Sequence, residues 1–561
     1  MEKFEYFGYV HIDSETLLPE ASAIVARMRD AEDFGSFEEA VLEFDSLQRR
    51  VETMRTICEI MHTLDTTDPY YAAEQDYFDS MMPDFEEVLT DFARAFVRAD
   101  MREKTEEKWG KHTVTKCLYQ IRSFDSCLID LKKRENALMS SYQNIMASSE
   151  ISFDGKKLTL PGLMKYFRDP DEDVRRRTMR AFGDFLHSME KTLDPLFDEM
   201  VKVRTEMGKM MGFDDYIHLG YINMRRYDYD MEDVKRYRSQ VREVIVPLTE
   251  EIRKKQAGRI GAEKPVFFNN WFEYPEGNPV PDGDAAELTL KAGKMYRQMS
   301  PETAELFDVM QEGELFDLES RPGKAQGGYC TSIPKYSVPF IFANFNGTTD
   351  DVETLTHEFG HALNSWFMRD TDLLIQQELT METAEIHSTS MEFFSHPYME
   401  MFFRDKESAD RYRYSHLAGT LCAIAYECCV DEFQHEIYAK PDLTPDERKA
   451  VWHRLETEYM PGWDFEGDED LERGLYWLRQ LHIFECPFYY IDYSLATLTA
   501  LELYGLSKTD REKAFAGYFE LSRTGNLIPY RQVLKKASLS DPFTDGAIER
   551  IVTPLREELE L

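Results

Sequence analysis

Apolar residues recur every three to four positions along most of the chain, with charged residues between them. This spacing puts apolar side chains on one face of a helix and charges on the other. It is clearest in residues 37–61, 84–102 and 232–255. The pattern therefore predicts a mainly α-helical protein.

The helical pattern stops between about residues 312 and 346. Three short segments there, LFDLES, GGYCTSI and VPFIFANF, alternate or run apolar and contain β-branched and aromatic residues. The segments RPGK and PKY separate them and are typical of turns. We therefore expect a small sheet of about three strands within a helical protein.

Two Pro- and Gly-containing breaks interrupt the helical pattern outside this sheet. Residues 274–284 (YPEGNPVPDGD) are predicted to form a loop, and residues 154–162 (DGKKLTLPG) form a shorter break. We place a domain boundary at the break of residues 154–162. The sequence then divides into an N-terminal helical region, 1–155, and a second region, 156–561.

The charge balance excludes two classes of partner. Lys and Arg total 66 against 105 Asp and Glu, which gives a net charge of −39. No basic surplus exists to displace counterions from nucleic acid or to bind anionic lipid, so we expect neither partner.

Three features that the sequence lacks predict where in the cell the protein is found. The N-terminus has no apolar signal region, and no run of eighteen apolar residues occurs. The eight cysteines are irregularly spaced without a CxxC pair. These features predict a reduced, cytoplasmic protein.

The strongest motif in the chain is the HExxH of residues 357–361. We expect it on a helix that Asp350 caps, with Glu353 reaching back, and that runs to about residue 368. His357 and His361, one turn apart, can bind one Zn²⁺, with Glu358 at the edge of the site. The opposite face carries a buried apolar stripe: Leu355, Phe359, Ala362 and Trp366.

Gly360 lies inside this predicted helix. A glycine there costs about 1 kcal/mol relative to alanine, so its presence suggests that another backbone approaches closely.

A catalytic zinc needs a third protein ligand and an open position. Other HExxH patterns would require His at 367 or Glu near 380 or 381, where this chain has Phe367, Thr380 and Met381. The next predicted helix instead offers four carboxylates on one stripe, and spacing alone leaves the choice open: Glu378, Glu382, Glu385 and Glu392.

HEFGHA after a DVETLT segment, followed by ExxSxxxE, resembles the thimet oligopeptidase and oligoendopeptidase F superfamily of zinc metallopeptidases. The bacterial oligoendopeptidase F-like enzymes and Pz-peptidases are the most similar part of it, and the likeness extends over roughly residues 200–540. The resemblance implies that Glu385, 24 residues after His361, is the third ligand of one Zn²⁺ per chain. It also implies that Glu392 contacts the metal ligands without binding the metal itself.

The resemblance also implies an architecture. The fold would be mainly α, with two helical lobes around a deep substrate channel and a small sheet beside the HExxH helix, as in zincins. Residues 156–561 would then form the catalytic region, with the active-site core at about 312–395.

A second candidate segment lies at about residues 476–500. Its LHIFECPFYYIDY run, if helical, puts His482, Tyr489 and Tyr493 on one face, with Pro487 breaking the helix. Tyr and His can donate hydrogen bonds to an oxyanion, although an aromatic stripe packed in the core is the alternative. The resemblance implies that His482, Tyr489 and Tyr493 are catalytic, with Tyr490 in reserve as a substrate contact.

Three upstream residues are candidates for substrate binding. Ala343 and Asn344 end the last predicted strand and could pair with an extended peptide. Gly328 lies in a Gly-Gly-Tyr segment that could approach the substrate. Ordinary strand and turn packing is the alternative for all three.

The predicted function is zinc-dependent hydrolysis of internal bonds in short, unstructured peptides. Water would be activated by Glu358 and the metal, as the resemblance implies. The alternatives are a catalytically inactive peptide-binding protein, a helical scaffold, and a neighbouring amino- or carboxypeptidase activity. The sequence does not predict the oligomeric state.

Overall fold

The computed structural model describes residues 2–561, and α-helices form most of this chain. The prediction of a mainly α protein with small sheets is confirmed. A π-helical turn, Val241–Ile245, joins the helices Met231–Gln240 and Val246–Arg259. The α-helices are α1 Ser14–Asp30, α2 Phe34–Leu64, α3 Pro69–Phe96, α4 Arg102–Trp109, α5 Lys111–Ser123, α6 Ile129–Ser148, α7 Leu160–Met164, α8 Glu172–Met210, α9 Tyr216–Asn223, α10 Met231–Gln240, α11 Val246–Arg259, α12 Ala285–Met299, α13 Pro301–Glu312, α14 Thr349–Met368, α15 Met381–Ser395, α16 Lys406–Ala439, α17 Pro445–Tyr459, α18 Glu469–Glu472, α19 Leu481–Glu485, α20 Tyr490–Thr509, α21 Arg511–Thr524, α22 Tyr530–Lys536 and α23 Ala547–Val552.

Residues 2–561 also form two small sheets and several short 3-10 helices. The first is an antiparallel hairpin at the predicted break near residue 155. The second has three strands in the order β3-β5-β4 and confirms the sheet expected before the HExxH motif. The strands are β1 Ile151–Phe153, β2 Lys156–Leu158, β3 Phe316–Glu319, β4 Tyr329–Ile333 and β5 Val338–Phe345.

The chain forms two compact units, each built from three segments. Unit 1 consists of residues up to Phe124, Val280–Ala409 and Leu506–Leu539. Unit 2 consists of Asp125–Pro279, Asp410–Gly505 and Ser540–Leu561. These units group segments in space and cut across the linear regions 1–155 and 156–561, which stay a prediction about organisation along the chain.

In unit 1, the three-stranded sheet supports the HExxH helix. β5 is the central strand, parallel to β3 and antiparallel to β4. Its first six residues are buried, which explains the nearly continuous apolar run in the sequence. α14 packs against β4 and β5 on one side and against α15 and α21 on others.

The start of α14 differs from the expectation. Thr348 is the N-cap residue, and its side chain makes no capping hydrogen bond. The carboxylate of Asp351 instead accepts hydrogen bonds from the backbone N–H groups of Asn346 (2.9 Å) and Gly347 (2.7 Å). The prediction that Asp350 caps the helix is therefore wrong, because the chain bends back before the helix and meets the next carboxylate.

Three of the four residues predicted for the buried apolar face of α14 are buried, whereas Trp366, near the end of the helix, is only half-buried. Leu355, Phe359 and Ala362 are buried, and the ring of Phe359 stacks on that of Tyr296 in α12, with centroids 3.7 Å apart.

Among residues 2–561, no helix combines the length and apolar composition that crossing a bilayer requires.

Candidate metal centre

Three predicted ligands from α14 and α15 converge in unit 1. Glu385 Oε2 lies 3.3 Å from His357 Nε2 and 3.7 Å from His361 Nε2. Within residues 2–561, these three form the one group of His, Cys, Asp or Glu whose three ligand atoms all lie within 4.8 Å of one another. Of the four glutamates that spacing left open, Glu385 is the one that joins the histidines. The prediction that Glu378 lies on the same helix is wrong, because α15 begins only at Met381.

Gly360 allows α15 to approach α14 this closely. A Cβ at position 360 would lie 2.2 Å from the carbonyl oxygen of His387 and 2.7 Å from Ser388 Cα, far inside van der Waals contact. The close backbone approach that this glycine suggested is therefore observed. It brings Glu385, two residues before His387, level with the two histidines.

Hydrogen bonds from α15 orient two of the candidate ligands. His357 Nδ1 lies 2.7 Å from Glu392 Oε1, so the ring donates its Nδ1 proton to that carboxylate and keeps Nε2 for a metal. Ser388 Oγ donates to Glu385 Oε2 at 2.9 Å. The structure thus places Glu392 behind His357, where the sequence analysis expected a supporting carboxylate.

The charges of the centre suit a cation. Burial acts to raise the pKa of Glu385, but hydrogen bonding and charge from His357 and His361 outweigh it and lower the pKa to about 2. Burial lowers the pKa of His361 to about 4, so this imidazole is neutral at pH 7. Burial acts to lower the pKa of His357, but hydrogen bonding and charge from Glu385 and Glu392 outweigh it and hold the pKa well above its usual value. The ring of His357 is therefore protonated until a metal displaces the Nε2 proton. With that proton lost, two imidazole nitrogens and one ionised carboxylate are the donor set of His₂Glu zinc sites, so these residues fit Zn²⁺.

Glu358 lies beside the ligands and is only 7% exposed. Burial raises its pKa to about 7, while the charge of His357 and a hydrogen bond from the backbone N–H of Cys330 oppose the rise. A carboxylate that titrates near neutral pH can both accept and return a proton. Glu358 therefore has the environment of a general base.

Gly328 lies next to this base, immediately before β4. A Cβ at position 328 would be 3.1 Å from Thr354 Cγ2 and 3.8 Å from Glu358 Oε1. A larger residue there would enter the space beside the carboxylate. The predicted contact between Gly328 and a substrate stays a prediction.

Ala343 and Asn344 hold the loop that leads to β4. The buried Lys324 Nζ donates to the carbonyl of Ala343 at 2.5 Å. Asn344 Nδ2 donates to the carbonyls of Ala325 (2.8 Å) and Gly327 (2.9 Å). Both residues belong to the central strand, whereas β4 is an edge strand. Their role in peptide binding stays a prediction.

The second candidate segment, in unit 2, is a broken helix. α19 ends at Glu485 and α20 begins at Tyr490, so the break predicted at Pro487 is confirmed. One continuous helical face is therefore not formed. The four rings nevertheless cluster, because Tyr489, Tyr490 and Tyr493 have centroids 5.5, 4.8 and 5.9 Å from that of His482.

Two residues that sequence reasoning missed orient His482. Gln480 Nε2 lies 3.0 Å from His482 Nδ1, and Tyr426 donates to Gln480 Oε1 at 2.7 Å. Since an amide nitrogen can only donate, His482 Nδ1 accepts and the ring proton sits on Nε2. The ring is thereby prepared as a hydrogen-bond donor. No motif in the sequence marks Gln480 or Tyr426 for this role.

Comparisons with known proteins identify two family regions. The model of the Peptidase M3 N-terminal domain matches residues 4–124, and the model of Peptidase family M3 matches residues 298–553. The second match contains the metal centre and the broken helix.

Individual relatives extend the similarity to nearly the whole chain. Oligopeptidase PepF of Bacillus subtilis (strain 168) is 22% identical, over 97% of this chain and 83% of the relative. The chromosomal oligoendopeptidase F of Lactococcus lactis subsp. cremoris is 21% identical, over 89% and 85%. A structure of PZ peptidase A with an inhibitor is 39% identical, has a TM-score of 0.93 and covers 100% of this chain and 99% of its own.

Proposed function

Because this chain belongs to peptidase family M3, we propose that it is a zinc-dependent oligoendopeptidase that hydrolyses internal bonds of short, unstructured peptides. Family membership makes the protein a metallo-oligopeptidase. Zinc as the metal, internal bonds as the target and the roles of individual residues belong to the proposal. The observation that carries it is the convergence of His357, His361 and Glu385 beside the buried Glu358.

His357, His361 and Glu385 would hold one Zn²⁺ per chain. When bound, the ion supplies Lewis acidity, which polarises the scissile carbonyl and makes water more acidic. Glu392 keeps the ring of His357 in its ligating orientation by accepting the Nδ1 proton. Ser388 does the same for Glu385 through its hydroxyl.

Glu358 carries the proton during hydrolysis. Its carboxylate takes a proton from the attacking water and then delivers it to the amine that leaves, so the residue ends each cycle as it began. Burial raises the pKa of Glu358 to about 7, so the carboxylate is basic enough to accept the proton and the resulting acid is acidic enough to return it.

His482, Tyr489 and Tyr493 are proposed as hydrogen-bond donors to the oxyanion, with Tyr490 as the reserve. This role rests on the family resemblance. It is supported within unit 2 by the Nε2 proton of His482 and by the close packing of the four rings. Hydrogen bonds aimed at developing charge are strong contributors to acyl-transfer catalysis.

Short peptides as substrates are proposed from the family and from relatives named oligopeptidase and oligoendopeptidase. The deep channel, the cytoplasmic location and the absence of nucleic-acid and membrane partners stay predictions from the sequence and the resemblance. Mass spectrometry of products from an end-blocked peptide decides between internal cleavage and exopeptidase activity.

Replacing the general base tests the proposal. Glu358→Gln keeps the shape of the side chain but cannot accept a proton, so kcat is expected to fall by about 10²- to 10⁴-fold. Zinc content and thermal stability should stay at wild-type values. The control is Glu353→Gln, which changes the same charge on the same helix and should retain activity. Unchanged turnover in Glu358→Gln would remove Glu358 from the mechanism.

A further inference from the structure

We propose that Phe488 is a positioning residue: it is fixed by contacts from α9, α16 and Arg226, and it holds Tyr489, Tyr490 and Tyr493 around His482. This inference rests on the proposed function, in which these tyrosines and His482 serve the oxyanion. All the contacts that carry it lie within unit 2.

Phe488 has a backbone conformation that bulky residues rarely adopt. Its φ is +68°, in the left-handed region, and it lies in the break between α19 and α20, directly before Tyr489. Such a conformation persists only where the surroundings determine it strongly, and these positions concentrate at functional sites. The strained backbone of Phe488 must therefore be held in place by contacts with the residues around it.

Both backbone polar groups of Phe488 are bound by buried side chains. Its N–H donates to Gln434 Oε1 of α16 at 3.1 Å, and its carbonyl accepts from Arg226 Nη2 at 2.5 Å. The same Nη2 lies 3.1 Å from Asp492 Oδ1, and neither side chain of this ion pair is exposed. Since Asp492 is in the first turn of α20, Arg226 ties the strained residue to the helix that carries the tyrosines.

The ring of Phe488 is enclosed as well. Its centroid lies 4.9 Å from that of His435, 5.6 Å from Tyr438 and 5.7 Å from Tyr221, and the residue has no solvent exposure. On α9, the ring packs directly against Gly220, which has no side chain. A Cβ at this position would lie 2.6 and 2.7 Å from two carbons of the Phe488 ring. The pocket thus accepts this ring in one position.

Fixing Phe488 fixes the path of the chain into α20. Tyr489 N–H donates to the carbonyl of Cys486 at 3.1 Å, and Asp492 N–H donates to the carbonyl of Tyr489 at 2.9 Å. These two hydrogen bonds link Cys486 to Tyr489 and Tyr489 to the first turn of α20. A shift of the Phe488 ring would move Tyr489 and its neighbours relative to His482.

Gly220→Ala tests this inference without touching a proposed catalytic residue. Alanine favours helix more than glycine does, so helix propensity alone predicts an unchanged or more stable protein. We expect instead that the methyl group displaces the ring of Phe488. kcat should then fall about 10- to 100-fold with little change in KM, because misplaced oxyanion donors act in the transition state. Hydrogen–deuterium exchange of residues 486–493 should be faster.

The matched control is Gly258→Ala, on α11 of the same unit. A Cβ there meets nothing within 4 Å, so kcat and exchange should stay at wild-type values. Combining Gly220→Ala with Phe488→Leu should recover part of the lost kcat, because the smaller side chain leaves room for the methyl group.

The outcomes separate this inference from the proposed function. Wild-type kcat and wild-type exchange in Gly220→Ala would overturn the inference, and so would a loss of stability with kcat unchanged in the folded protein. If wild-type protein cleaves no peptide, the proposed function fails. Hydrogen–deuterium exchange of residues 486–493 then tests by itself whether Phe488 fixes this segment. Faster exchange in Gly220→Ala supports that role of Phe488, and wild-type exchange refutes it.

Discussion

Glu385 completes the candidate metal centre, because its Oε2 lies within 3.7 Å of the Nε2 atoms of both histidines. Its carboxylate stays ionised, with a pKa of about 2, although it is buried. An isolated buried carboxylate would be neutral. The ionised state therefore depends on the histidines now and on a metal when one is bound.

Removing this carboxylate should release the metal. In Glu385→Ala, the affinity for zinc is expected to fall by more than the roughly 10- to 100-fold that loss of an orienting partner costs. Zinc analysis after dialysis against a weak chelator measures this. Glu378→Ala is the control, since Glu378 lies before α15 and outside the group of converging ligand atoms. Full zinc content in Glu385→Ala would move the third ligand to another glutamate.

Glu456 in α17 is a buried carboxyl outside the metal centre. It accepts a hydrogen bond from Trp452 Nε1 at 3.0 Å, and burial raises its pKa to about 8. The folded protein therefore keeps a proton on Glu456 at pH values where the unfolded chain has lost it. This contribution to stability is complete below about pH 4.5 and is lost as the pH rises to about 8.

Glu456→Gln should remove this pH dependence, because the amide stays neutral at every pH. We expect the melting temperature of the variant, relative to wild type, to be higher at pH 8.5 than at pH 5.5. Glu458→Gln, at a more exposed site on the same helix, should show no such trend. Equal differences at both pH values for Glu456→Gln would mean that the carboxyl is ionised throughout.

At the level of elements, the geometry of the centre depends on how closely α14 and α15 cross. Gly360→Ala places a methyl group where the His387 carbonyl oxygen lies 2.2 Å away, and neither backbone can yield without moving the helices apart. We expect lower thermal stability and weaker zinc binding, because Glu385 moves away from the histidines. Melting curves with and without added zinc measure both effects.

The control for this change is Gly419→Ala, at an exposed position in α16 where a Cβ meets nothing within 4 Å. It should be neutral or slightly stabilising. Wild-type zinc affinity and stability in Gly360→Ala would show that the helices can separate without disturbing the ligands.

Local patterns predicted the elements well where one face of an element is apolar. The stripe on α14 predicted its extent closely, and the β-branched runs predicted β3, β4 and β5. Prediction failed where distant side chains decide the backbone. The conformation at Phe488, for which no sequence pattern is a signal, depends on the distant residues Arg226 and Gln434. The cap of α14 was predicted wrongly for a local reason, because the carboxylate of Asp351 binds the N–H of Asn346 five residues earlier.

Local sequence patterns also predicted only those parts of the candidate site that lie on one element. His357, Glu358 and His361 follow from local spacing, since one helix carries all three. Glu385 could not be chosen from four equivalent glutamates without the family resemblance, and the fold now shows why it is the one that fits. The contacts of Gln480 with His482 and of Gly220 with Phe488 lie within a unit assembled from three separate segments, so no local pattern reveals them.

The central claim is that a zinc ion held by His357, His361 and Glu385 is required for cleavage of short peptides. The most direct test is a mass-spectrometric map of cleavage in a mixed peptide library, with protein as purified, after zinc removal by a chelator, and after zinc is restored. The account predicts cuts at internal bonds that disappear with the chelator and return with zinc. Cleavage that persists in zinc-free protein would contradict it.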